Sequence, residues 1–556
     1  MYVFRAQDRS YSNCTWERDG VQTDDEMDLD PVGARLLDGD SADEDMRIYR
    51  TSRFWSSVIP GVLELGINAK TFGRKGKRLC YKCTPNDRTL PAVLIPYELK
   101  TTGFSKAGCN KYVLFRLEGP SSFSGKHLFG SLTQTIGEVD NYDAFCDHQM
   151  NCEGLTQSIQ RFTKDIFMQV KKGVNRGAID DKYNPLDCSH ERTITIDPYG
   201  CKDFDDALHW HQEDGKDIVR IHIANVSVWM DVLDLWSKYP GRVSTVYFPE
   251  RIVPMLPSTL SEGLCSLAAD GTPKYTLCLT VEVSGDLAQY GVSIDKVRIE
   301  RNYVYEEDDL VADADYVGLY KVARTLNGQM PYLEKIEDSH DVVAFYMMLM
   351  NHRIALMLRD ARKGLFRGMD GSDKQVSHLP QEVRCIARAW GTKGGEYMSV
   401  ENLKRHAMLP EHVDVYCQST SPIRRLVDLV NQALVCGLVI GNDSLDQPAL
   451  KTVDPITQLN KKMGSVKKVQ NSCNLLHSVM NRDAVFGELH GYVLECSEAD
   501  PRRGEGYWCM IYVPELRSAG GALSPEPLEL YSVANVSVHL FTDENTLKRK
   551  VRLNLL

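Results

Sequence analysis

The chain has 556 residues, too many for one ordinary hydrophobic core, so its length predicts about three or four domains. Its 43% hydrophobic and 25% charged residues are typical of a globular protein that folds in water. The 16 cysteines are irregularly spaced, which argues against a disulfide framework and favours reduced thiols in an intracellular compartment, cytoplasmic or nuclear.

The net charge of −11 is unevenly distributed along the chain. Acidic residues crowd the stretch from Asp24 to Asp45, where aromatic residues are few. Such a composition predicts that residues 1–46 form a disordered acidic tail. The remainder is near neutral, so the net charge does not exclude a nucleic-acid partner.

No stretch of the sequence reads as a membrane-spanning segment. The best candidate, Leu429 to Ile440, is short and contains Asn431 and Gln432. The first residues also lack the basic-then-apolar order of a secretory signal. We therefore expect no membrane partner.

The predicted elements give an α+β chain with small β modules at both flanks. Residues 47–152 contain short β-like runs separated by Gly, Pro and Asn-Asp, which predicts a small antiparallel barrel. Residues 153–187 are predicted to form a helical linker, and residues 188–485 to mix strands with long helices in a large α+β body. Residues 486–556 become strand-like again. The helices of the body are predicted at Asp341 to Arg362, Pro422 to Val439 and Leu459 to Arg482.

Four carboxylates within ten residues are the feature of the sequence that most directly indicates a chemical function. An apolar strand, Thr193 to Ile196, leads into Asp197, and a Pro/Gly turn then brings Asp203, Asp205 and Asp206. Like charges this close repel by about 1 kcal/mol or more per pair, so a folded protein keeps them where a cation neutralises them. Hard divalent ions such as Mg²⁺ bind carboxylate oxygen, and two such ions can activate water for phosphodiester hydrolysis. For an isolated cluster, a solvated acidic turn is the alternative; the ligand spacing of a calcium-binding hand is missing.

Two weaker motifs concern cysteines and basic residues. Two cysteine sets are compatible with a zinc knuckle or with buried structural thiols: Cys80, Cys83 and Cys109, and Cys146, His148 and Cys152. The basic run from Lys548 to Lys550 fits RNA contact, a localisation signal or a solvated β-edge.

Several blocks, in order along the chain, resemble the ribonuclease II / exoribonuclease R (RNB) superfamily. The run T-I-D-P-(x)4-D-x-D-D-A around Asp197 resembles its signature. Further blocks resemble it in the same order: His222 to Ser227, Val246-Tyr247, Pro254 to Pro257, Leu264 to Leu267 and Thr420 to Arg425. The resemblance extends over roughly 450 residues. The superfamily includes a branch that contains the catalytic subunit of the eukaryotic exosome.

The flanks are similar to the barrels of that branch. Asn86 to Pro91, Tyr112 to Phe115 and Gly125 to Leu132 resemble a cold-shock-type OB barrel before the RNB catalytic domain. Asp543 to Val551 resembles the last strands of an S1-like OB barrel after it. The resemblance implies that the chain is a shortened and divergent member of the superfamily. An organellar or viral origin is also compatible with this interpretation.

The resemblance implies roles for the acids and for one arginine. All four aspartates would hold Mg²⁺, with Mn²⁺ as an alternative, and Asp197 and Asp206 would be direct ligands. Arg424 would grip the scissile phosphate and stabilise charge in the transition state.

The resemblance also implies a single-stranded RNA substrate. Tyr247 would stack on the terminal base, the alternative being an ordinary half-buried strand tyrosine. Ser421, Arg425 and Lys274 would contact RNA. The implied activity is processive 3′-to-5′ hydrolysis to 5′-monophosphates by a monomer, with an RNA-decay complex or helicase as a further partner. The alternative is an RNA-binding scaffold that keeps the fold without catalysis.

The sequence departs from the family pattern near these blocks. Asn225 stands where the family usually has Asp, and Leu426 follows the double arginine where Tyr is usual. Gln432-Ala433 replaces a His-Arg pair, and Gln418-Ser419 replaces His-Phe. None of these changes removes a metal ligand, but they put the grip on substrate and the rate in question.

Overall fold

The computed structural model describes residues 1–23, 29–66, 69–99, 108–119, 127–173, 176–285, 287–369, 379–380, 383–384, 386–387, 390, 395–407, 409–480, 488–500 and 505–556. The chain divides into two compact units, residues 1–156 with 471–556 and residues 157–470. The predicted boundary between residues 485 and 486 lies outside the described residues.

Residues 1–46 were predicted to be a disordered tail, and this prediction is wrong for the described part. They contribute to a five-stranded sheet in the order β3-β2-β1-β4-β5. Its strands are β1 (Tyr2–Ala6), β2 (Cys14–Arg18), β3 (Val21–Thr23), β4 (Ser41–Ala42) and β5 (Ile48–Tyr49). Phe4, Trp16 and Leu36 are buried in the core of this sheet. The acidic run at residues 24–28 lies outside the described residues.

The acidic residues of this segment are used as hydrogen-bond acceptors, which explains the error. The Asp40 carboxylate is fully buried and accepts from the Leu37 and Ser52 backbone amides and from Trp55 Nε1, at 2.8 to 3.1 Å. Asp8 accepts from the backbone amides of Ser10 and Asn13 in a turn. A charge count cannot separate such structural carboxylates from solvated ones.

The predicted N-terminal barrel is present and has the strand order of an OB fold. Its sheet runs β6-β10-β11-β9-β8-β7, and a β6–β8 pairing closes it. The pairing of β9 with β11 is parallel, as this Greek-key order requires. The strands are β6 (Ile59–Leu63), β7 (Thr71–Lys75), β8 (Arg78–Pro85), β9 (Val93–Tyr97), β10 (Lys111–Leu117) and β11 (Leu128–Glu138). Helix α1 (Tyr142–Cys152) follows.

The C-terminal barrel repeats this order in the strands β25-β24-β23-β26-β27. The outer strands β25 and β27 contact each other without ladder pairing. The strands are β23 (Leu489–Glu498), β24 (Tyr507–Val513), β25 (Ser518–Ser524), β26 (Val533–Thr542) and β27 (Arg549–Leu555). In the basic run that precedes and enters β27, Lys548 Nζ bonds Asn86, and Lys550 Nζ lies 2.6 Å from Asp543, so both ammonium groups have internal partners.

The unit of residues 157–470 is built on a seven-stranded mixed sheet in the order β12-β19-β18-β15-β14-β13-β20. Its strands are β12 (Leu186–Asp187), β13 (Thr193–Asp197), β14 (Asp206–Glu213), β15 (Lys216–Ala224), β18 (Lys274–Ser284), β19 (Leu287–Val297) and β20 (Ile299–Val304). Two small hairpins complete the strands: β16 (Val246–Tyr247) with β17 (Ile252–Val253), and β21 (Phe366–Gly368) with β22 (Glu396–Met398).

Helices precede, separate and follow these strands along the chain. They are α2 (Gln160–Lys171), α3 (Arg176–Tyr183), α4 (Val226–Val232), α5 (Asp308–Val311), α6 (Ala314–Gln329), α7 (Ser339–Asp360), α8 (Leu426–Ile440), α9 (Asp446–Leu450) and α10 (Ile456–Met480), the last of which continues into the other unit. The helices predicted from residues 341, 422 and 459 correspond to α7, α8 and α10. Pro422 to Arg425 form a turn instead of the first turn of α8.

Helix α7 corrects one expectation. By length and apolar composition it could cross a membrane, whereas no such stretch was predicted from the sequence. In the structure 61% of its apolar window is buried, and it packs against α6 and α8. A core helix of this kind passes the same test, so the feature is weak evidence for a membrane.

The packing of α6 on the sheet depends on Gly318. A β-carbon at this position would overlap the ring of Trp210 on β14, and the ring is fixed by a 3.1 Å hydrogen bond from Nε1 to Asp217. We expect Gly318→Ala to destabilise the fold by about 1–3 kcal/mol, because overpacking outweighs the gain of up to about 1 kcal/mol in helix propensity.

The matched control for Gly318→Ala is Gly328→Ala in the same helix, where a β-carbon meets nothing within 4 Å. Urea unfolding of the two variants should show a lower midpoint for Gly318→Ala and an unchanged or higher one for Gly328→Ala. Equal midpoints would contradict the packing described for Trp210.

Candidate active site

The first aspartate is delivered by a buried strand. β13 alternates β-branched residues, and Thr193 to Ile196 are all buried, as such residues favour in a sheet covered on both faces. Parallel pairing with β20 places Asp197 opposite Val304, and the Tyr305 amide donates to the Asp197 carbonyl at 3.2 Å. Asp197 therefore has a fixed position at the end of the strand.

The loop between Asp197 and Asp206 is tied down by a second segment. The Phe204 amide donates to Ser266 Oγ at 3.1 Å, and Ser266 Oγ donates to the Lys202 carbonyl at 2.8 Å. The Leu267 amide donates to the Phe204 carbonyl at 3.0 Å. Gly200 turns the chain with a φ of +83°, which favours glycine. The block from Leu264 to Leu267 thus holds the acidic loop in place.

Asp205 and Asp206 have different partners, although they are adjacent. The Asp205 carboxylate is 5% exposed and accepts from the Ile423 amide (Oδ1, 3.0 Å) and from Arg424 Nε (Oδ2, 3.1 Å). Asp206 begins β14 opposite Ile223. Successive side chains of an extended segment diverge, which gives the two carboxylates separate roles.

Arg424 joins the acids from 219 residues further along the chain. Besides the bond from Nε to Asp205, its guanidinium makes no hydrogen bond within the described part of the chain, and its side chain is 46% exposed. The structure therefore brings Arg424 together with the acids and leaves its terminal nitrogens accessible. That it acts on a phosphate stays a prediction.

Asp428 holds the turn that carries Arg424. This fully buried carboxylate accepts from the Ser421 amide and from Arg425 Nη2, both at 2.8 Å. On the other side, the Thr245 amide donates to the Arg424 carbonyl at 2.9 Å. The turn from Ser421 to Arg425 is thus held between α8 and the segment that leads to Tyr247.

These contacts change the interpretation of three predicted RNA contacts. Ser421 is 2% exposed, and the Arg425 guanidinium pairs with Asp428. Lys274 is also 2% exposed, and its Nζ donates to Asp270 at 2.8 Å. The placement of these residues does not support direct contact with RNA, because their polar groups are used inside the protein. The sequence shows that these positions hold polar or basic residues, but it does not show that Arg425 pairs with Asp428 and Lys274 with Asp270.

Burial raises the pKa values of three of the four acids, and the charges of neighbouring acids add to this effect. Desolvation raises the pKa of Asp197 to about 6, against hydrogen bonds from Thr195 and Cys201 that lower it. Desolvation raises the pKa of Asp205 to about 7, although Arg424 and the Ile423 amide oppose the rise. Desolvation, followed by the charges of Asp197 and Asp205, raises the pKa of Asp206 well above its ordinary value. A cation would relieve all three effects.

The donor set fits a hard divalent cation. Asp197 Oδ2 is buried without a hydrogen-bond partner among the described residues, an orphaned oxygen that a metal ion would satisfy. Among those residues, no three of the four carboxylates bring their oxygens within 4.8 Å of one another. Mg²⁺ suits this open arrangement, since it usually takes few carboxylates and keeps water and substrate phosphate as its other ligands.

Tyr247 lies at the edge of this group. It is half-buried, and burial followed by the charge of Asp203 raises the pKa of its hydroxyl to about 12. Arg424 and Asp205 also act on this hydroxyl, so the ring is placed beside the acids. Stacking on a base stays a prediction.

A second aromatic residue, Tyr305, lies near the acids and was not predicted from the sequence. The Tyr305 ring stacks on His340 at 3.7 Å between centroids, and burial together with the charges of Asp206 and Asp197 raises the pKa of its hydroxyl. Tyr305 follows β20, which pairs with the strand of Asp197 from more than 100 residues away. An aromatic residue directly after a strand was the only local signal.

Two of the departures from the family pattern, Asn225 and Gln432, lie in the core. Asn225 Oδ1 accepts from Ser227 Oγ at 2.8 Å, and Asn225 Nδ2 contacts Cys436 Sγ at 3.3 Å. Gln432 accepts from the Ser227 amide at 3.2 Å and donates to the Ala224 carbonyl at 2.9 Å. The three polar side chains and Cys436 are completely buried and form one network.

The zinc-knuckle alternative is not supported for either cysteine set: among the described residues, no three metal-ligand atoms that lie within 4.8 Å of one another include one from these cysteines. Cys80 and Cys83 are buried in the first barrel, and Cys109 is exposed. Cys152 Sγ lies 3.4 Å from His148 Nε2. The alternative of buried thiols fits Cys80 and Cys83.

The raised pKa values predict a pH dependence of stability in metal-free protein. The folded Asp205 carboxyl has a pKa of about 7 and the ordinary value is 3.8, so the folded chain binds the proton more tightly. This contribution to stability is present below the ordinary pKa and is lost as the pH rises through about 7. Each pKa unit corresponds to about 1.4 kcal/mol, so the loss amounts to a few kcal/mol at most.

Urea unfolding in a chelator at about pH 5 and about pH 8 measures this effect. The difference between the two pH values should shrink in Asp205→Asn, which cannot ionise. An equal pH dependence in the variant would show that Asp205 titrates normally.

Comparisons with known proteins concern the family and the fold of the chain. A model of the RNB domain family matches residues 186–316. Ribonuclease R of Helicobacter pylori is 31% identical over 194 residues, which cover 34% of this chain and 28% of that protein. The match thus spans about a third of the chain and less than a third of the relative. The resemblance to this superfamily is confirmed.

Two solved structures share the fold. RNase R of Mycoplasma genitalium, in complex with ribose methylated single-stranded RNA, has a TM-score of 0.69 and 13% identity, over 94% of this chain and 95% of that one. Yeast Ssd1, described as a pseudonuclease, has a TM-score of 0.58 and 14% identity, over 86% and 66%. At these identities the likeness shows the fold alone, and it confirms the α+β class.

Proposed function

We propose that this chain, whose residues 186–316 match the RNB domain family, is a magnesium-dependent 3′-to-5′ exoribonuclease that hydrolyses single-stranded RNA processively to 5′-monophosphates. The observation that carries the proposal is the convergence of the acids and Arg424, with Nε 3.1 Å from Asp205 Oδ2. An intracellular monomer, with an RNA-decay complex or helicase as further partner, belongs to the same proposal.

The residues divide the work as follows. Asp197 and Asp206 would hold Mg²⁺, with Asp203 completing the site and Mn²⁺ as an alternative ion. When bound, the ion would lower the pKa of water and stabilise the leaving oxygen of an in-line displacement.

Arg424 supplies charge that does not depend on pH. Asp205 holds its Nε, so the guanidinium is oriented before substrate binds, and the two terminal nitrogens can donate to phosphate oxygens. The rings of Tyr247 and Tyr305 would stack on the terminal bases. Stacking of this kind is possible for any base, so it would not restrict the RNA sequence.

An end-labelled RNA tests the proposal. A 5′-labelled single-stranded RNA with Mg²⁺ should give products that shorten from the 3′ end, and EDTA should stop the reaction. A 3′-blocked substrate should stay intact, whereas internal cleavage would ignore the block. Folded protein that gives no metal-dependent shortening would exclude the enzyme.

A non-catalytic RNA-binding protein is the second candidate. The structural similarity to the pseudonuclease Ssd1 favours it, as do the departures at Asn225 and Gln432. This candidate predicts RNA binding without turnover under every metal condition. The presence of all four aspartates and Arg424 favours the first.

A further inference from the structure

The sheet that carries the acids holds a second buried cluster. His222 on β15, Cys278 on β18 and Asp295 on β19 each offer one ligand atom, and these atoms all lie within 4.8 Å of one another. All three residues are 0% exposed. His222 pairs with Cys278 across the ladder, and Asp295 pairs with Thr276. Since side chains alternate along a strand, the three share one face of the sheet.

Cys188 lies beside this cluster. Its Sγ is 3.8 Å from Asp295 Oδ2, and it is 2% exposed. It follows β12, which pairs with β19 at Asp295. One imidazole, two thiols and one carboxylate form the mixed donor set that zinc accepts in tetrahedral sites.

His222 lacks part of the hydrogen bonding that a buried histidine requires. Its Nδ1 lies 3.0 Å from Thr276 Oγ1 and 3.9 Å from Asp295 Oδ2. Its Nε2 has no hydrogen-bond partner in the described part of the chain. An unsatisfied buried nitrogen is costly, and an ion is one way to account for it.

The charges near the cluster are compatible with a cation. Arg220 Nη1 lies 3.8 Å from Asp295 Oδ2, and Arg220 Nε lies 3.0 Å from Glu191 Oε2, so two carboxylates share one guanidinium. Binding of Zn²⁺ would break two S–H bonds, form two Zn–S bonds and release two protons to solvent. The net charge of the cluster is then unchanged.

We propose that His222, Cys278, Asp295 and Cys188 bind one structural Zn²⁺ ion. Zn–S bonds of about 2.3 Å and Zn–N bonds of about 2.0 Å separate tetrahedral ligand atoms by about 3.5 Å, so the three ligand atoms that lie within 4.8 Å of one another draw closer on binding, and the Cys188 thiol, which lies outside that group of three, moves in to complete the tetrahedron. Ala207 pairs with His222, one residue from Asp206 and Ile223. The ion therefore joins β12, β15, β18 and β19 behind the acids, and this role does not depend on RNA hydrolysis.

Metal content and Co²⁺ spectra test the proposal without an activity assay. Protein dialysed against zinc and then against zinc-free magnesium buffer should retain about one zinc per chain. Co²⁺ in its place should give a thiolate charge-transfer band, which carboxylates alone cannot produce. Cys278→Ser removes one of the two thiolates, so the band should fall to about half or less and the retained zinc should fall about tenfold. If that variant does not fold, the zinc content and spectrum of the unaltered protein decide.

Two cysteine controls make the assignment specific. Cys417→Ser changes a buried thiol that contacts the Asn351 carbonyl at 3.4 Å, and it should keep both zinc and the band. Cys201 Sγ lies 3.8 Å from Asp197 and Asp203, so Cys201→Ser tests whether Co²⁺ binds at the acids instead. A missing band, a band lost in Cys201→Ser, or zinc retained by folded Cys278→Ser would overturn the proposal and leave the proposed nuclease function untouched.

Discussion

Replacing Arg424 by alanine should lower the rate of RNA hydrolysis by about 10³-fold, the lower end of the effect of an arginine on a transferring phosphoryl group. The reason is that Arg424 is the cation placed against Asp205, with its terminal nitrogens accessible. Arg424→Lys should recover only part of the rate, since an ammonium cannot donate in a fixed fork. Single-turnover kinetics at saturating RNA measures the change.

The control for Arg424 is Arg324→Ala. Arg324 is an exposed arginine of α6 that stacks over Tyr320 at 5.7 Å, and its loss should leave the rate unchanged. Thermal unfolding must show that Arg424→Ala is folded. A folded variant with the original rate would remove Arg424 from the proposed site.

Asp206→Asn should lower turnover by more than about 100-fold. Losing a residue that only hydrogen-bonds to a metal ligand costs up to about 100-fold, and losing a ligand itself should cost more. An amide keeps the shape but loses the charge that binds the ion. Without metal the variant should be at least as stable as the original, because burial and the charges of Asp197 and Asp205 already raise the pKa of Asp206. Affinity for RNA, measured by fluorescence anisotropy, should be retained.

Asp214→Asn provides the comparison for this variant. Asp214 lies in the turn at the other end of β14, with a φ of +49° that asparagine tolerates. It should hydrolyse RNA at the original rate. An Asp206→Asn protein that is equally active would refute the metal site, whereas loss of RNA affinity in the same variant would indicate a binding role instead.

The sequence locates the acidic cluster and Arg424 better than it locates the ordered segments of the chain. Asp197, Asp205 and Arg424 could be found because each occupies a fixed place in a recognisable block. The ordered N-terminal sheet could not, because Asp40 counts as one more charge until its backbone partners are known. Lys274 shows the same limit, since its pairing with Asp270 decides whether it faces the substrate. Tyr305 depends on strand pairing across more than 100 residues.

The interlocked amides of Asn225 and Gln432 bear on how such a chain could have diverged. Asn225 and Gln432 both hydrogen-bond to Ser227, from segments about 200 residues apart. Placing the aspartate of the family pattern at position 225 alone would insert a charge among completely buried neutral groups. Positions 225 and 432 are therefore expected to change together. As long as one of them keeps its present amide, a change of the other to the residue of the family pattern should destabilise the core.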